Sequence, residues 1–171
     1  WGKAWHQFMA QPIDSPDWGA LARLDRELNF KRVEEWCAER LRSLAEPVSV
    51  WEQVGGVAQA NALLDSFFGG RVANYHRSLS KPTLSRKHCS RISPYLAWGN
   101  VSVRQVYQRL LQEQAQRGKS RAFSAFNSRL HWHCHFIQKF ESEDRIEFEA
   151  MNSGYDQFDD PWNERNERAW I

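Results

Sequence analysis

The sequence has no stretch of 18 or more consecutive apolar residues, so it predicts no membrane-spanning helix. It has only three cysteines, Cys37, Cys89 and Cys134, and no two of them have CxxC spacing. This odd count argues against a disulfide framework and favours a reducing, cytoplasmic setting. The sequence also lacks strand-like alternation of apolar and polar residues, internal repeats, and a charged-then-apolar leader. Because the chain begins at Trp1 without a methionine, we expect it to be part of a larger protein.

Apolar residues at helical spacing are present through most of the sequence, and they predict an all-α fold. The predicted apolar stripes are Leu21, Leu24 and Leu28; Val33, Trp36, Cys37, Leu41 and Leu44; Val57, Ala60, Leu64, Phe67 and Phe68; Val103, Val106, Tyr107, Leu110 and Leu111; and Phe123, Phe126, Leu130, Ile137 and Phe140. The 171 residues suit one domain or a large part of one, and an apolar fraction of 42% is enough for a buried core.

Capping and helix-breaking residues predict where these helices begin and end. The predicted starts are Ser15-Pro16, Ser93-Pro94, the capping box Ser102–Gln105, and Ser120. The predicted ends are Pro47, Gly69-Gly70, Gly99, Gly118 and Phe140. We expect the glycine pair to end its helix by adopting left-handed backbone angles. Residues 71–92 are basic and rich in serine but have no clear period, so they predict a loop with at most a short helical turn.

Charge is distributed unevenly although the net charge is only +2. Residues 71–133 contain twelve Lys or Arg against one acidic residue, Glu113, which gives a local charge of +11. Residues 141–168 contain ten Asp or Glu against three Arg, which gives −7. The basic block is either a solvated surface balanced by the acidic segment, or the binding surface for a phosphate-bearing partner. Such a partner would be a nucleic acid or an anionic cofactor.

The stretch SRLHWHCHF, residues 128–136, contains three histidines and a cysteine. His131 and His135 are four residues apart on a helix and have the spacing of two metal ligands. His133 lies on a different face, and Cys134 falls on the apolar stripe with Leu130. Two ligands do not complete a structural metal site, so we predict no metal here and expect solvated surface histidines.

A second strip of the same helix carries Arg129, Trp132 and Phe136. These side chains are suited to packing under a neighbouring helix. They are equally suited to lining a pocket in which a planar ring or a base stacks. Composition alone leaves both possibilities open.

The segment CSRISPYLAWGNVSVRQVY, residues 89–107, resembles the flavin-binding domain of the photolyase/cryptochrome family. That family has a Thr-Ser-x-Leu-Ser segment, then Pro-Tyr-Leu, an aromatic residue, a glycine and S-x-R-x-V. Upstream, VGGVAQANALLDSFF resembles the family's Gly-Gly-x-x-x-Ala helix, and Tyr75 resembles its flavin-contacting tyrosine. Downstream, FNSRLHWHCHF resembles its E-L-x-W-R-E-F-F helix. The ordered resemblance covers roughly residues 51–140.

The resemblance implies a truncated helical flavin-binding domain, with residues 1–50 as the connection from an N-terminal antenna domain and residues 51–171 as its first part. It implies FAD as the cofactor and Tyr75, Cys89, Ser90, Arg91, Ile92, Ser93, Phe126, Arg129 and His133 as cofactor-binding residues. Hydroxyls at a segment leading into a helix suit the pyrophosphate. Capping of the helix at Pro94 is a second, compatible role for Ser93.

The activity that the resemblance implies is light-driven repair of pyrimidine dimers by a lyase. In this family the reduced, light-excited flavin passes an electron to a dimer flipped out of the DNA. Arg129 and Trp132 would contact the DNA, with Trp132 stacking on the flipped lesion. The basic block would follow the DNA backbone.

Four positions depart from the family pattern. Arg129 replaces a glutamate, His133 an arginine, Cys134 an acidic residue and Cys89 a threonine. Two alternatives therefore stay open: a cryptochrome-like photoreceptor without repair, and a non-enzymatic helical nucleic-acid-binding module. The chain ends at WNERNERAWI, before the half of the family's domain that supplies further flavin contacts. We expect the chain alone to bind FAD weakly or not at all, and to be inactive.

Overall fold

A computed structural model of the protein describes residues 1–20, 22–23, 30–44, 53–156 and 163–170. Regular structure in these ranges is helical and includes no strand, so the predicted all-α class is confirmed. The α-helices are α1 (Gly2–Met9), α2 (Phe30–Leu44), α3 (Val57–Gly69), α4 (Tyr75–Ser78), α5 (Pro82–His88), α6 (Ser93–Ala97), α7 (Val103–Arg117), α8 (Arg121–Ser142) and α9 (Glu164–Trp170). Short 3-10 helices span Arg71–Asn74, Asp144–Glu147 and Ser153–Tyr155. None of the described helices has the length and apolar character needed to cross a membrane.

The chain divides into two compact units, residues 1–127 and residues 128–171, and the division falls within α8. Aromatic rings fill the core of the first unit. The ring centroids of Phe67 and Phe68 in α3 lie 4.7 and 5.9 Å from that of Phe126 in α8. Tyr75 of α4 meets Phe126 edge-on at 5.6 Å. Such edge-to-face contacts are the arrangement that ring quadrupoles favour.

Helix α1 packs against α7, although no stripe in the sequence predicted it. Its buried residues, Trp5 and Met9, are four apart and so lie on one face of the helix. Trp5 meets the ring of Tyr107 at 4.8 Å, and His6 Nδ1 is 2.8 Å from the Tyr107 hydroxyl. Gln108 Nε2 donates to the Met9 carbonyl (3.1 Å), one of the carbonyls that a helix end leaves unpaired. Helix α1 has only eight residues, so its apolar residues give too short a pattern to stand out in a sequence.

The predicted capping box at the start of α7 is confirmed. The Gln105 backbone N–H donates to Ser102 Oγ (3.1 Å), and the Ser102 N–H donates to Gln105 Oε1 (2.7 Å). The predicted ends at Gly99 and Gly118 are also confirmed. Both glycines have positive φ, 66° and 77°, which glycine adopts without the steric cost of a Cβ.

One predicted helix start differs from the observed one. The helical stretch predicted from Ser15 begins at Trp18, and Asp17 Oδ1 accepts the Ala20 N–H (3.0 Å) as a cap. Aspartate is as good a capping residue as serine, and it stands closer to the first turn. The predicted start at Ser93-Pro94 is confirmed, because α6 begins at Ser93. Its N-cap residue is Ile92, however, and no side chain, including that of Ser93, caps the helix by a hydrogen bond.

The prediction for residues 69–92 was wrong in two respects. Helix α3 ends at the glycine pair, but Gly70 has φ −169°, so no left-handed residue ends this helix. The predicted loop that follows is mostly helical and contains a 3-10 helix, α4 and α5. Val72, Tyr75 and Ser78 are buried at a spacing of three, and the charged and hydroxyl residues between them obscure that period.

The predicted stripe of α8 is buried only in part. Phe123, Phe126 and Leu130 are buried, whereas Ile137 and Phe140 are 54% and 44% exposed. Cys134, predicted to lie in the core, is only half-buried. The apolar stripe predicted at residues 33–44 lies in a helix, α2. However, its residues Val33, Trp36 and Leu41 are exposed.

Several predictions fall outside the described residues. They are the stripe of Leu21, Leu24 and Leu28, the helix end at Pro47, and the boundary near residue 50. The division of the chain at that boundary stays a prediction.

The second unit contains the end of α8, two 3-10 helices and α9. Acidic side chains there pair with cations of the same unit, as in Arg145–Glu149 (3.3 Å). Glu143 accepts a hydrogen bond from Lys139, and this bond holds the pKa of the Glu143 carboxyl below its ordinary value.

Candidate functional site

The segment Cys89–Ser93 connects α5 to α6, and it holds five of the nine predicted cofactor-binding residues. Ser90 and Ile92 are buried, with exposures of 8% and 4%. Cys89 and Arg91 are half-buried, and Ser93 is exposed. The segment thus alternates between residues that anchor it in the first unit and residues that face outward.

Arg71 fixes the start of this segment. Its Nη1 donates to the Cys89 carbonyl, its Nη2 to the Leu63 carbonyl (2.9 Å) and its Nε to Ser66 Oγ (3.1 Å). All three guanidinium nitrogens are therefore used to join α3 to the segment. The same guanidinium lies over the Phe67 ring at 5.7 Å, which adds a cation–π contact.

Arg91 is the residue of this segment whose backbone conformation is strained. Its φ of 59° makes it the single positive-φ non-glycine residue in the described part of the chain. Gln53 and Arg91 hold each other: Gln53 Nε2 donates to the Arg91 carbonyl (2.9 Å), and Arg91 Nη2 donates to Gln53 Oε1 (3.1 Å). A residue persists in this region of backbone space when its surroundings fix it, and such strain is concentrated at functional sites.

Positive charge dominates the surroundings of the segment. Burial lowers the pKa of Arg71, and repulsion by Arg91 lowers it further, although Arg71 stays charged. Neither arginine forms an ion pair with an acidic side chain in the described ranges. An anion placed beside both guanidinium groups would therefore relieve their mutual repulsion.

Cys89 carries the one thiol in the segment. Burial raises the pKa of this thiol, and the charges of Arg71 and Arg91 offset that effect in part. The net effect keeps the thiol protonated at neutral pH. Cys89 therefore contributes a neutral side chain at the position where the family has a threonine.

Tyr75 and Phe126, also predicted to bind the cofactor, contact each other in the core of the first unit. They are 4% and 2% exposed. Core neighbours thus cover most of both rings, and little of either surface is available to a ligand.

The remaining predicted residues, Arg129, Trp132 and His133, belong to the second unit. Arg129 is exposed, and Trp132 is 47% exposed with its ring 5.5 Å from that of Phe136 at an interplanar angle of 31°. His133 is half-buried, and its Nδ1 has no hydrogen-bond partner among the described residues. In the described ranges no group of three or more His, Cys, Asp or Glu side chains is placed to hold a metal ion.

A cavity beside α6 was not predicted. It has a volume of about 420 Å³ and is lined by Gln53, Gly55, Gly56, Pro94, Tyr95, Trp98 and Asn100. Two hydrogen bonds join the segments of its wall: Tyr95 OH donates to the Val54 carbonyl (2.7 Å), and the Gly56 N–H donates to Asn100 Oδ1 (2.5 Å). Arg71 and Gln53 were not predicted from the sequence either. They form hydrogen bonds with residues 18 and 38 positions away in the sequence. Helical periodicity gives no information on contacts at such separations.

Comparisons of the chain with protein-family models, with curated proteins and with solved structures give no match.

Proposed function

We propose that this chain is the first part of the FAD-binding domain of a photolyase-like flavoprotein, which acts on damaged DNA in light-driven repair of pyrimidine dimers. One observation carries the proposal. The segment Cys89–Ser93, which the resemblance assigns to the cofactor, is held in place by two arginines that have no acidic partner in the described part of the chain.

The residues of this segment suit the pyrophosphate of FAD. Ser93 presents an exposed hydroxyl, and Arg91 contributes a half-buried guanidinium. The backbone turns through a left-handed residue at Arg91, as in the concave arrangements of N–H groups that bind anions. FAD would supply the redox chemistry. The segment would hold its phosphates.

Trp132 suits the proposed contact with damaged DNA. Nearly half of its side chain is exposed, and its neighbour Phe136 is exposed to a similar extent. Base–aromatic stacking contributes about 1–3 kcal/mol per base. A base flipped out of the duplex would meet an indole ring already held by an aromatic neighbour.

A second candidate function is a cryptochrome-like photoreceptor without repair. It is favoured by Arg129, which stands where the family has the glutamate that holds the lesion. A guanidinium cannot accept the hydrogen bonds that a carboxylate accepts. Flavin binding is common to both candidates, whereas dimer repair belongs only to the first.

Flavin binding is tested by titrating FAD into the 171-residue chain and into the longest natural polypeptide that contains it. We expect flavin to co-purify with the longer protein and to bind the 171-residue chain weakly or not at all. In the longer protein, Ser93→Ala should weaken FAD binding roughly tenfold, since it removes a hydrogen bond to a charged group. Ser124→Ala, an exposed serine of α8, is the matched control. The proposal would be contradicted if the longer protein bound no FAD.

Repair is tested by illuminating the flavin-loaded protein with blue light in the presence of an oligonucleotide that contains one pyrimidine dimer. Restoration of the two pyrimidines supports the photolyase-like candidate. Flavin photoreduction without repair supports the cryptochrome-like one. DNA binding without any flavin supports the third possibility, a non-enzymatic helical nucleic-acid-binding module.

A further inference from the structure

A second cavity lies where α7 ends and α8 begins. It has a volume of about 310 Å³. One side is formed by Val72 and His76, and the other by Arg117, Ser120, Arg121 and Phe123. It contains no residue of the Cys89–Ser93 segment and none of the Arg129–Trp132 strip, and none of its lining residues is acidic.

Arg117 is anchored so that part of its guanidinium stays available. Its Nη1 donates to the Phe68 carbonyl and to Glu113 Oε2 (3.3 Å). Within the described ranges, Nε and Nη2 make no hydrogen bond. Glu113 also accepts from Arg109 (3.1 Å), so both carboxylate oxygens are already paired with cations.

The other polar groups of the cavity are donors as well. Arg121 is exposed and forms no ion pair with a described residue. Ser120 Oγ accepts the Phe123 N–H (3.2 Å), which leaves the hydroxyl hydrogen free to be donated outward. His76 also lines the cavity, with a half-buried imidazole ring.

We propose that this cavity binds a phosphate group, either a phosphodiester of a nucleic-acid strand or a free phosphate ion. Phosphate is a tetrahedral monoanion or dianion whose oxygens point in several directions. These oxygens suit the two guanidinium groups, the imidazole and the hydroxyl that line the cavity. Arginine is the side chain that binds phosphate with two parallel hydrogen bonds. The volume lies at the lower limit of ligand sites, about 300–1,000 Å³, so it suits a phosphate with at most a sugar attached.

The site goes beyond the proposed flavin function and does not depend on it. The local charge of +11 across residues 71–133 would attract an anion to this face from a distance. Among the described residues, the N–H groups of Arg121 and Ala122 in the first turn of α8 have no hydrogen-bond partner, so they add to the donors already present.

The test is a titration of the full isotope-labelled chain, monitored by NMR of the arginine Nε–Hε groups, of the His76 ring and of the backbone amides in residues 120–123. The probes are inorganic phosphate and a short oligothymidylate, each at one fixed ionic strength. We expect at least one probe to give saturable shifts at Arg121 and at His76. Saturation by phosphate itself identifies a free-ion site, and saturation only by the oligonucleotide identifies a phosphodiester site.

Variants decide whether the effect is local. Arg121→Gln and His76→Ala should each weaken binding of the effective probe at least about fivefold, because the first removes a cation from the cavity and the second removes the imidazole donor. Arg77→Gln removes the same charge beside His76 but outside the cavity, and it should change the affinity less than about twofold. Absence of saturable shifts with both probes on the unaltered chain overturns the proposal. An equal loss in Arg77→Gln and Arg121→Gln also overturns it, since general charge would then explain the binding.

Discussion

At the scale of single residues, Arg91 is the position where backbone strain occurs within the candidate site. An L-residue in the left-handed region costs about 1–2 kcal/mol relative to a relaxed backbone. The reciprocal hydrogen bonds with Gln53 help to hold it there. Strain at this point directs the chain from the buried Ser90 to the exposed Ser93, so the shape of the candidate phosphate segment depends on it.

Arg91→Gly and Arg91→Ala isolate this strain. Both variants lose the side-chain hydrogen bond to Gln53, but only alanine keeps the Cβ that the left-handed backbone disfavours. We expect Arg91→Gly to be more stable than Arg91→Ala by about 1 kcal/mol, after the higher unfolded-state entropy of glycine is taken into account. Urea unfolding of the two variants measures the difference. An alanine variant at least as stable as the glycine variant would contradict the strained conformation.

Cys89 gives a prediction on pH. Because burial raises the thiol pKa, the folded state keeps its proton at a pH where the unfolded thiol has already ionised. The contribution to stability is therefore complete below the unfolded pKa and is lost as pH rises through the folded pKa. We expect iodoacetamide to alkylate Cys89 with an apparent pKa above that of a free thiol.

Arg91→Gln should raise the pKa of Cys89 further, because it removes a cation that favours the thiolate. The rates are followed by mass spectrometry of the alkylated peptides as a function of pH. Cys37 on α2 is the internal control, and the substitution should leave its rate unchanged. An unaltered or lower apparent pKa of Cys89 in the variant would show that Arg91 does not act on the thiol.

At the scale of elements, the sequence predicted a helix end correctly where the signal comes from residues that are close by in the chain. The box at Ser102 and the glycines at 99 and 118 act within a few positions, so they can be read before the fold is known. Helices α4 and α5 were missed because charged and hydroxyl residues obscure the period of the buried Val72, Tyr75 and Ser78, and because α5 has no buried residue that could give an apolar stripe. In the candidate site, Ser90 and Ser93 followed from a resemblance, whereas Arg71 required the fold.

Ser102→Ala tests the capping box. The variant leaves the Gln105 N–H without its acceptor at the first turn of α7, and we expect a loss of about 1 kcal/mol in the free energy of unfolding. Ser124→Ala removes an exposed serine hydroxyl within α8, where alanine has the higher helix propensity, so it should cost nothing. Equal destabilisation by the two substitutions in thermal or urea unfolding would rule out a specific cap.

At the scale of the whole molecule, the separation of charge has a structural basis in each unit. In the first unit, Arg109 and Arg117 use the Glu113 carboxylate, while Arg77, Lys81 and Lys87 are exposed and form no ion pair with a described residue. In the second unit, acidic residues pair with cations of their own unit. The sequence predicted the asymmetry of charge, but not which cations have internal partners, because pairing depends on helix packing.

The unpaired cations of the first unit predict DNA binding that depends on salt. A protein that neutralises phosphates releases counterions, so log K falls linearly with log salt, with a slope of about −0.7 to −0.9 per phosphate contact. The double substitution Lys81→Gln/Lys87→Gln should therefore weaken binding and make the slope shallower by about 1.5 if both residues contact phosphates. Fluorescence anisotropy of a labelled oligonucleotide, measured at several salt concentrations, gives both quantities.

The matched control for that slope is Lys3→Gln/Arg165→Gln, which removes the same two charges from exposed positions outside the basic block. Both double variants change the net charge equally, so any effect of net charge alone must appear in both. Contacts with phosphate, in contrast, change the slope only where the removed cation lies against the DNA. If the two variants gave the same slope, the basic block would be a solvated surface and not a nucleic-acid interface. A shallower slope confined to Lys81→Gln/Lys87→Gln would locate the DNA backbone at α5 and the turn before it.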